Sequence, residues 1–164
     1  MMTKDWIALA ACLMLCAIVG GAGSWFSREA LADWYPVLRK PDLNPPNWLF
    51  APVWMILYFV MGVAAWIVWR TFPAPHVVAA LLIFLAQLAL NFFWSVIFFH
   101  WRRPDAAFID LLLMWLAIVA TIIAFATVRP LAAALLVPYL AWVTFAGYLN
   151  GGIWRLNRPS PVVM

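Results

Sequence analysis

Charge is scarce in this sequence: only 10% of its 164 residues are Asp, Glu, Lys or Arg, against roughly a quarter in soluble domains. A chain this short cannot cover an aqueous surface with so few charges, so a free soluble domain is excluded. The two His and two Cys include no metal-spaced set, and no G-x-S-x-G, phosphate-cradling glycine loop or pair of carboxylates at membrane depth occurs, which leaves little for conventional enzyme chemistry. No segment alternates apolar and polar residues, which excludes a membrane barrel. The net charge of +4 comes from ten basic residues scattered over helix ends, not from the basic stripe that nucleic acid requires. Cys12 and Cys16, four apart in an apolar run, read as small thiols packed in a helix, against a metal pair or a disulfide. They do not fix the redox compartment.

What the sequence has is apolar length. Hydrophobic residues make up 68% of it, 12 of them Trp, and the mean hydropathy is +0.99. Spanning segments must satisfy their own backbone hydrogen bonds, which implies helices. Five runs of membrane length fall at about 6–26, 46–70, 76–101, 104–127 and 130–154. The expectation is all-α: residues 1–164 as a single integral membrane bundle of five transmembrane helices. Lys4 before an apolar stretch and Ala22-Gly23-Ser24 after it imitate a secretory leader, but the length of the run favours a retained helix. Pro73, Pro75, Pro104 and Pro130 mark short connections, where helices stop and restart, so consecutive helices are expected as antiparallel neighbours. Only the first connection, 27–45, is long, and it carries Arg28, Glu29, Asp33, Arg39, Lys40 and Asp42. Five crossings put Lys4, Arg70 and Arg129 on one side and Arg28, Arg39, Lys40, Arg102, Arg103, Arg155 and Arg158 on the other. The excess of positive charge predicts an external N-terminus, with the long loop and C-terminus cytoplasmic.

Within this apolar background a few residues stand out. Trp48 lies where the charged, proline-stiffened loop joins the second helix, and Phe50, Trp54 and Tyr58 then recur every four residues on one helix face. They form either one wall of an aromatic cage or an interfacial belt. Trp54 sits about 12 Å in from the helix start at 1.5 Å per residue, deep for a belt. Pro52 and Pro138 fall inside helices, where each promotes a kink that either opens space or is filled by a neighbour. Gln87, Asn91 and Trp94 share a face of the third helix, and amides at that depth need partners, either other helices or a ligand. Asp110 reads as an ion-pair or interface residue. On the fifth helix Tyr139, Trp142, Ala146 and Leu149 form a stripe, and Gly147 and Gly151 have the G-x-x-x-G spacing of close helix packing. His76 and His100 lie at helix ends, so a planar macrocycle here would be held by stacking, with no axial histidine.

These residues closely resemble the tryptophan-rich sensory protein and translocator protein family (TspO/MBR), over about residues 34–157. The resemblance rests on Trp34-Tyr35, Lys40-Pro41 through Pro45-Pro46-Asn47-Trp48, Pro52-Val53-Trp54 with Leu57-Tyr58, and Gln87-Leu88-Ala89-Leu90-Asn91 with Trp94. It continues through Asp110-Leu111-Leu112-Leu113 and Pro138-Tyr139-Leu140-Ala141-Trp142 with Phe145-Ala146 and Leu149-Asn150. The resemblance implies a five-helix bundle, often a homodimer, that binds porphyrins and haem-type tetrapyrroles, sterols and isoquinoline carboxamides in a cavity closed by the first loop. No cofactor beyond such a ligand is implied. By the family pattern Trp54 and Trp142 are the pocket tryptophans tied to light-dependent porphyrin breakdown, Asn91 and Trp94 line the cavity, and Ala146 is near the ligand.

The expected function is therefore a membrane receptor or sensor of tetrapyrroles. Its site is expected to comprise Trp48, Phe50, Trp54, Tyr58, Gln87, Asn91, Trp94, Tyr139, Trp142, Ala146 and Leu149. The alternatives are a light-dependent porphyrin-degrading enzyme and a tetrapyrrole or lipid transporter, the latter without the inverted repeats common in transporters. Three departures from the family stand in the sequence. Leu43 replaces a loop tryptophan, which predicts weaker stacking from the lid. Gly151 and Tyr148 spoil the sterol-recognition spacing to Arg155. Leu82-x-x-x-Ala86 replaces a small-residue seam of the third helix.

Overall fold

Each apolar run forms one long helix, and no strand occurs among the described residues, which are 2–158 of a computed structural model. Residue 1 and residues 159–164 of the expected domain lie outside the described residues. The helices are α1 (Met2–Asp33), α2 (Asn47–Trp69), α3 (Pro75–Ser95), α4 (Pro104–Val128) and α5 (Pro130–Leu156). All five are long and apolar enough to cross a membrane. α3, α4 and α5 each begin with proline in the first turn, where its missing N–H costs no helical hydrogen bond and its fixed φ suits the helix.

Two boundaries differ from expectation. Residues 27–33, assigned from sequence to the long loop, continue α1. No Gly or Pro interrupts the chain between Ser24 and Tyr35, and the hydroxyls of Ser24 and Ser27 donate back to the Gly20 and Gly23 carbonyls at 2.9 and 2.8 Å, so nothing stops the helix. The true connection is 34–46, with a single 3₁₀ turn at Tyr35–Val37. The third helix also changes winding, from α at Ser95 to a π turn at Val96–His100.

The helices form a ring in the order α1, α2, α5, α4, α3. α2 therefore has α1 and α5 as its main neighbours and touches α3 less, which corrects the expectation that every consecutive pair would pack side by side. Close approach comes from small residues. A Cβ on Gly62 would lie 3.1 Å from the Leu13 Cα and 3.2 Å from the Cys12 carbonyl, so α1 and α2 meet nearly backbone to backbone. Gly147 and Gly151 face Leu111 and Phe108, each 3.1 Å from where a Cβ would stand, so the glycine pair packs α5 onto α4.

Packing is unequal along the bundle. Met61, Ala64 and Val68 of α2 meet Phe84, Ile118, Phe125 and Leu136 in a tight core. At the end nearer the first loop, the same helices splay around a cavity. The loop is anchored there by a second cluster in which Tyr35 packs with Phe98, Ala107 and Ile153.

Candidate functional site

The cavity has a volume of about 690 Å³ and is bounded by α1, α2, α3 with its π turn, α5 and the loop; α4 supplies none of its lining. The four-residue period of α2 aims Phe50, Trp54 and Tyr58 into it. α5 presents Trp142, Ala146 and Leu149 from the opposite side, and α3 contributes Asn91 and Trp94. Phe50 and Trp142 close the two walls edge to face, with centroids 6.0 Å apart, and Trp54 lies 5.7 Å from Tyr58.

Three expected residues stand elsewhere. Trp48, in the first turn of α2, is 71% exposed and does not line the cavity. Gln87 and Tyr139 are buried behind the wall, where the Tyr139 ring meets Trp54 edge-on at 6.4 Å.

A directional hydrogen-bond chain links that wall to the interior. The Tyr58 hydroxyl donates to Asn91 Oδ1, Asn91 Nδ2 donates to the Tyr139 hydroxyl at 2.8 Å, and Tyr139 donates to Gln87 Oε1 at 2.9 Å. Gln87 ends the chain on Met61 Sδ at 3.9 Å, a weak acceptor. The amides of α3 thus join α2, α3 and α5 while Asn91 still reaches the cavity. Every proton in the chain points inward, so Tyr58 offers the cavity an acceptor lone pair. Trp94 Nε1 donates to Asn150 Oδ1 at 3.0 Å, and Asn150 Nδ2 donates to the Pro104 carbonyl at 2.7 Å. By contrast the buried Trp142 Nε1 has no partner among the described residues, which leaves an unused donor on a wall residue.

Asp110 is buried with Oδ2 unpartnered and forms no ion pair among the described residues. The nearby arginines of the connection are taken: Arg102 pairs with Asp33 at 2.7 Å and Arg103 with Asp105 at 2.7 Å. This corrects the ion-pair reading and leaves the interface one.

Sequence reasoning missed the whole α1 wall, made by Gly20, Gly21, Gly23 and Ser24, and the π-turn pair Phe98 and Phe99. The run Gly20-Gly21-Ala22-Gly23-Ser24 carried that signal, since such small residues keep a helix face open. From the loop it is Tyr35 that lines the cavity. Burial pushes the Tyr35 phenol above its ordinary pKa, so it stays a neutral donor, to Asn44 Oδ1 at 3.2 Å. Leu43 is 68% exposed and absent from the lining, so the expected effect of that departure on lid stacking finds no contact to act through.

Five membrane-length helices define a multi-pass integral membrane protein, and four of them, with the first loop, line an aromatic cavity of ligand size. The chain belongs to the TspO/MBR family, whose sequence profile matches residues 12–155. It is 45% identical over 157 residues to the Tryptophan-rich protein TspO of Chlorobaculum tepidum, covering 95% of this chain and 99% of that one. It is 43% identical over 138 residues to the human Translocator protein, covering 83% and 82%. With the Tryptophan-rich sensory protein of Cereibacter sphaeroides the identity is 36% over 160 residues, covering 98% of each.

Proposed function

We propose that this protein is a membrane receptor or sensor that holds a porphyrin or related tetrapyrrole in the aromatic cavity. The observation that carries the reading is the facing pair of walls, Phe50–Trp54–Tyr58 and Trp142–Ala146–Leu149, around about 690 Å³. Flat aromatic walls favour a flat aromatic ligand through offset and edge contacts. One relative is named a sensory protein, which agrees with a sensor. Sterols and isoquinoline carboxamides would share the same apolar space. The partners proposed are the lipid bilayer, for which the helices offer apolar outward faces, and a second copy of the chain.

The test is quenching of tryptophan fluorescence by a free-base porphyrin. Each stacking contact is worth about 0.5–1.5 kcal/mol beyond its buried area, so Trp54→Ala and Trp142→Ala should each weaken binding about tenfold while circular dichroism stays that of the parent. Unchanged affinity in both variants refutes the reading.

Contact between the oxidisable rings of Trp54, Tyr58 and Tyr139 favours a second reading, breakdown of bound porphyrin in which light excites the macrocycle and dissolved dioxygen accepts the electrons removed from it. Illumination should then give a product that depends on Trp54 and Trp142. Bleaching no faster than with an unrelated membrane protein rules it out.

A further inference from the structure

The connection between α1 and α2 is fastened to the end of α5, 118 residues away in sequence. Asn157, the residue after α5, spends both ends of its amide on one backbone unit. Its Oδ1 accepts from the Arg39 N–H at 3.0 Å and its Nδ2 donates to the Arg39 carbonyl at 2.9 Å. The second Nδ2 hydrogen goes to the Ile153 carbonyl at 2.7 Å, which fixes the amide on its own helix. The side chain thus pairs with the loop backbone as a neighbouring strand would.

One turn back on α5, the Pro41 ring occupies the space that a side chain on residue 152 would need, so only Gly152 admits the loop at this distance. Between these two fastenings and the cavity stands Lys40. Its Nζ donates to the Pro36 and Leu38 carbonyls at 3.3 and 3.2 Å and sits 4.7 Å over the Tyr35 ring. Tyr35 is the loop residue that lines the cavity.

We propose that Asn157 and Gly152 are positioning residues of the ligand cavity. By clamping residues 39–41 to α5 they hold Tyr35 in the cavity wall and set how fast ligand passes on the loop side. The second half of this proposal rests on the cavity being the ligand site; the clamp itself does not.

Two readouts on the full-length protein in detergent separate the halves. In Asn157→Ala, amide hydrogen exchange across residues 34–46 should rise about tenfold, because the segment loses its tie and opens locally. Gly152→Ala, which leaves Asn157 intact and displaces Pro41, should raise the same amides. Asn157→Asp keeps an acceptor for the Arg39 N–H but sets a carboxylate against the Arg39 carbonyl, so its rise should be intermediate. A rise confined to the Arg39 amide overturns the clamp.

Stopped-flow quenching with protoporphyrin IX gives the second readout. Opening a gate raises association and dissociation rates together, by about fivefold or more, with little change in affinity. A damaged cavity raises dissociation alone. That outcome, or unchanged rates in both the alanine variants, overturns the gating role. A parent protein that does not bind the porphyrin refutes the proposed function and with it the gating role, while hydrogen exchange still decides the clamp.

Discussion

Asn91 is the residue on which the site most depends, because it serves the fold and the cavity with one side chain. Its amide accepts from Tyr58 and donates to Tyr139, and it lines the cavity. Asn91→Leu would leave the Tyr58 donor without its acceptor and strip the Tyr139 oxygen of its donor. A buried polar group left unpaired costs about 1–3 kcal/mol. Tyr58→Phe removes the end of the chain and leaves only one Asn91 lone pair free, so its cost should be about 0.5–1.5 kcal/mol, that of one net hydrogen bond. Thermal denaturation in detergent should rank the leucine variant as the less stable; equal losses would mean that the chain has no directional importance. This much of the site was legible in the sequence, since Gln87, Asn91 and Trp94 are polar or aromatic residues on one face of an otherwise apolar helix. The free indole N–H of Trp142 was not legible, because whether a donor finds a partner depends on residues brought together only by the ring of helices.

Among elements, α1 is where sequence and structure part most. Its apolar run announced a membrane helix, but the run has no polar face to show which side meets the bundle. The glycines carry that information through space instead of polarity. A Cβ on Gly62 would crowd the α1 backbone, and one on Gly20 would stand 2.6 Å from the Tyr58 ring, whereas one on Gly21 meets nothing within 4 Å. Gly21→Ala should therefore stabilise the protein by about 0.5–1 kcal/mol through helix propensity. Gly62→Ala should destabilise it by about 1–3 kcal/mol through overpacking against backbone that cannot turn aside. Gly20→Ala, whose neighbour is the rim of a ring, should fall between them and also weaken porphyrin binding by displacing Tyr58. Melting temperatures in the same detergent check the order, and a destabilising Gly21→Ala would contradict this account of the α1 face. The π turn at Val96–His100 was equally hidden: its residues are ordinary helix formers for a membrane, and the extra residue per turn shows only in the backbone that carries Phe98 and Phe99 to the cavity.

The whole molecule has two chemically different ends, and the contacts between charges confirm which residues share each. Asp5 and Arg70 are 3.9 Å apart at one end, and the Trp66 indole donates to the Asp5 carbonyl there. At the other end Arg102 meets Asp33 at 2.7 Å, and Arg39 lies beside Asn157. The last turns of α1, the loop, the α3–α4 connection and the end of α5 therefore gather seven of the ten basic residues, Arg28, Arg39, Lys40, Arg102, Arg103, Arg155 and Arg158. Basic residues near spanning segments are retained on the cytoplasmic side, so the loop side of the cavity and its clamp should face the cytoplasm and the Asp5–Arg70 end the exterior. In a bacterial inner membrane, a fluorescent protein fused after residue 164 should then glow, and alkaline phosphatase at the same point should stay inactive. Two of the basic residues, Arg102 and Arg103, are tied in exposed ion pairs that add little stability. Changing both to Gln should leave the melting temperature nearly unchanged while reducing the bias of the fusion reporters. An active phosphatase on the parent protein would invert the orientation, and the ligand would then reach the loop side from outside the cell.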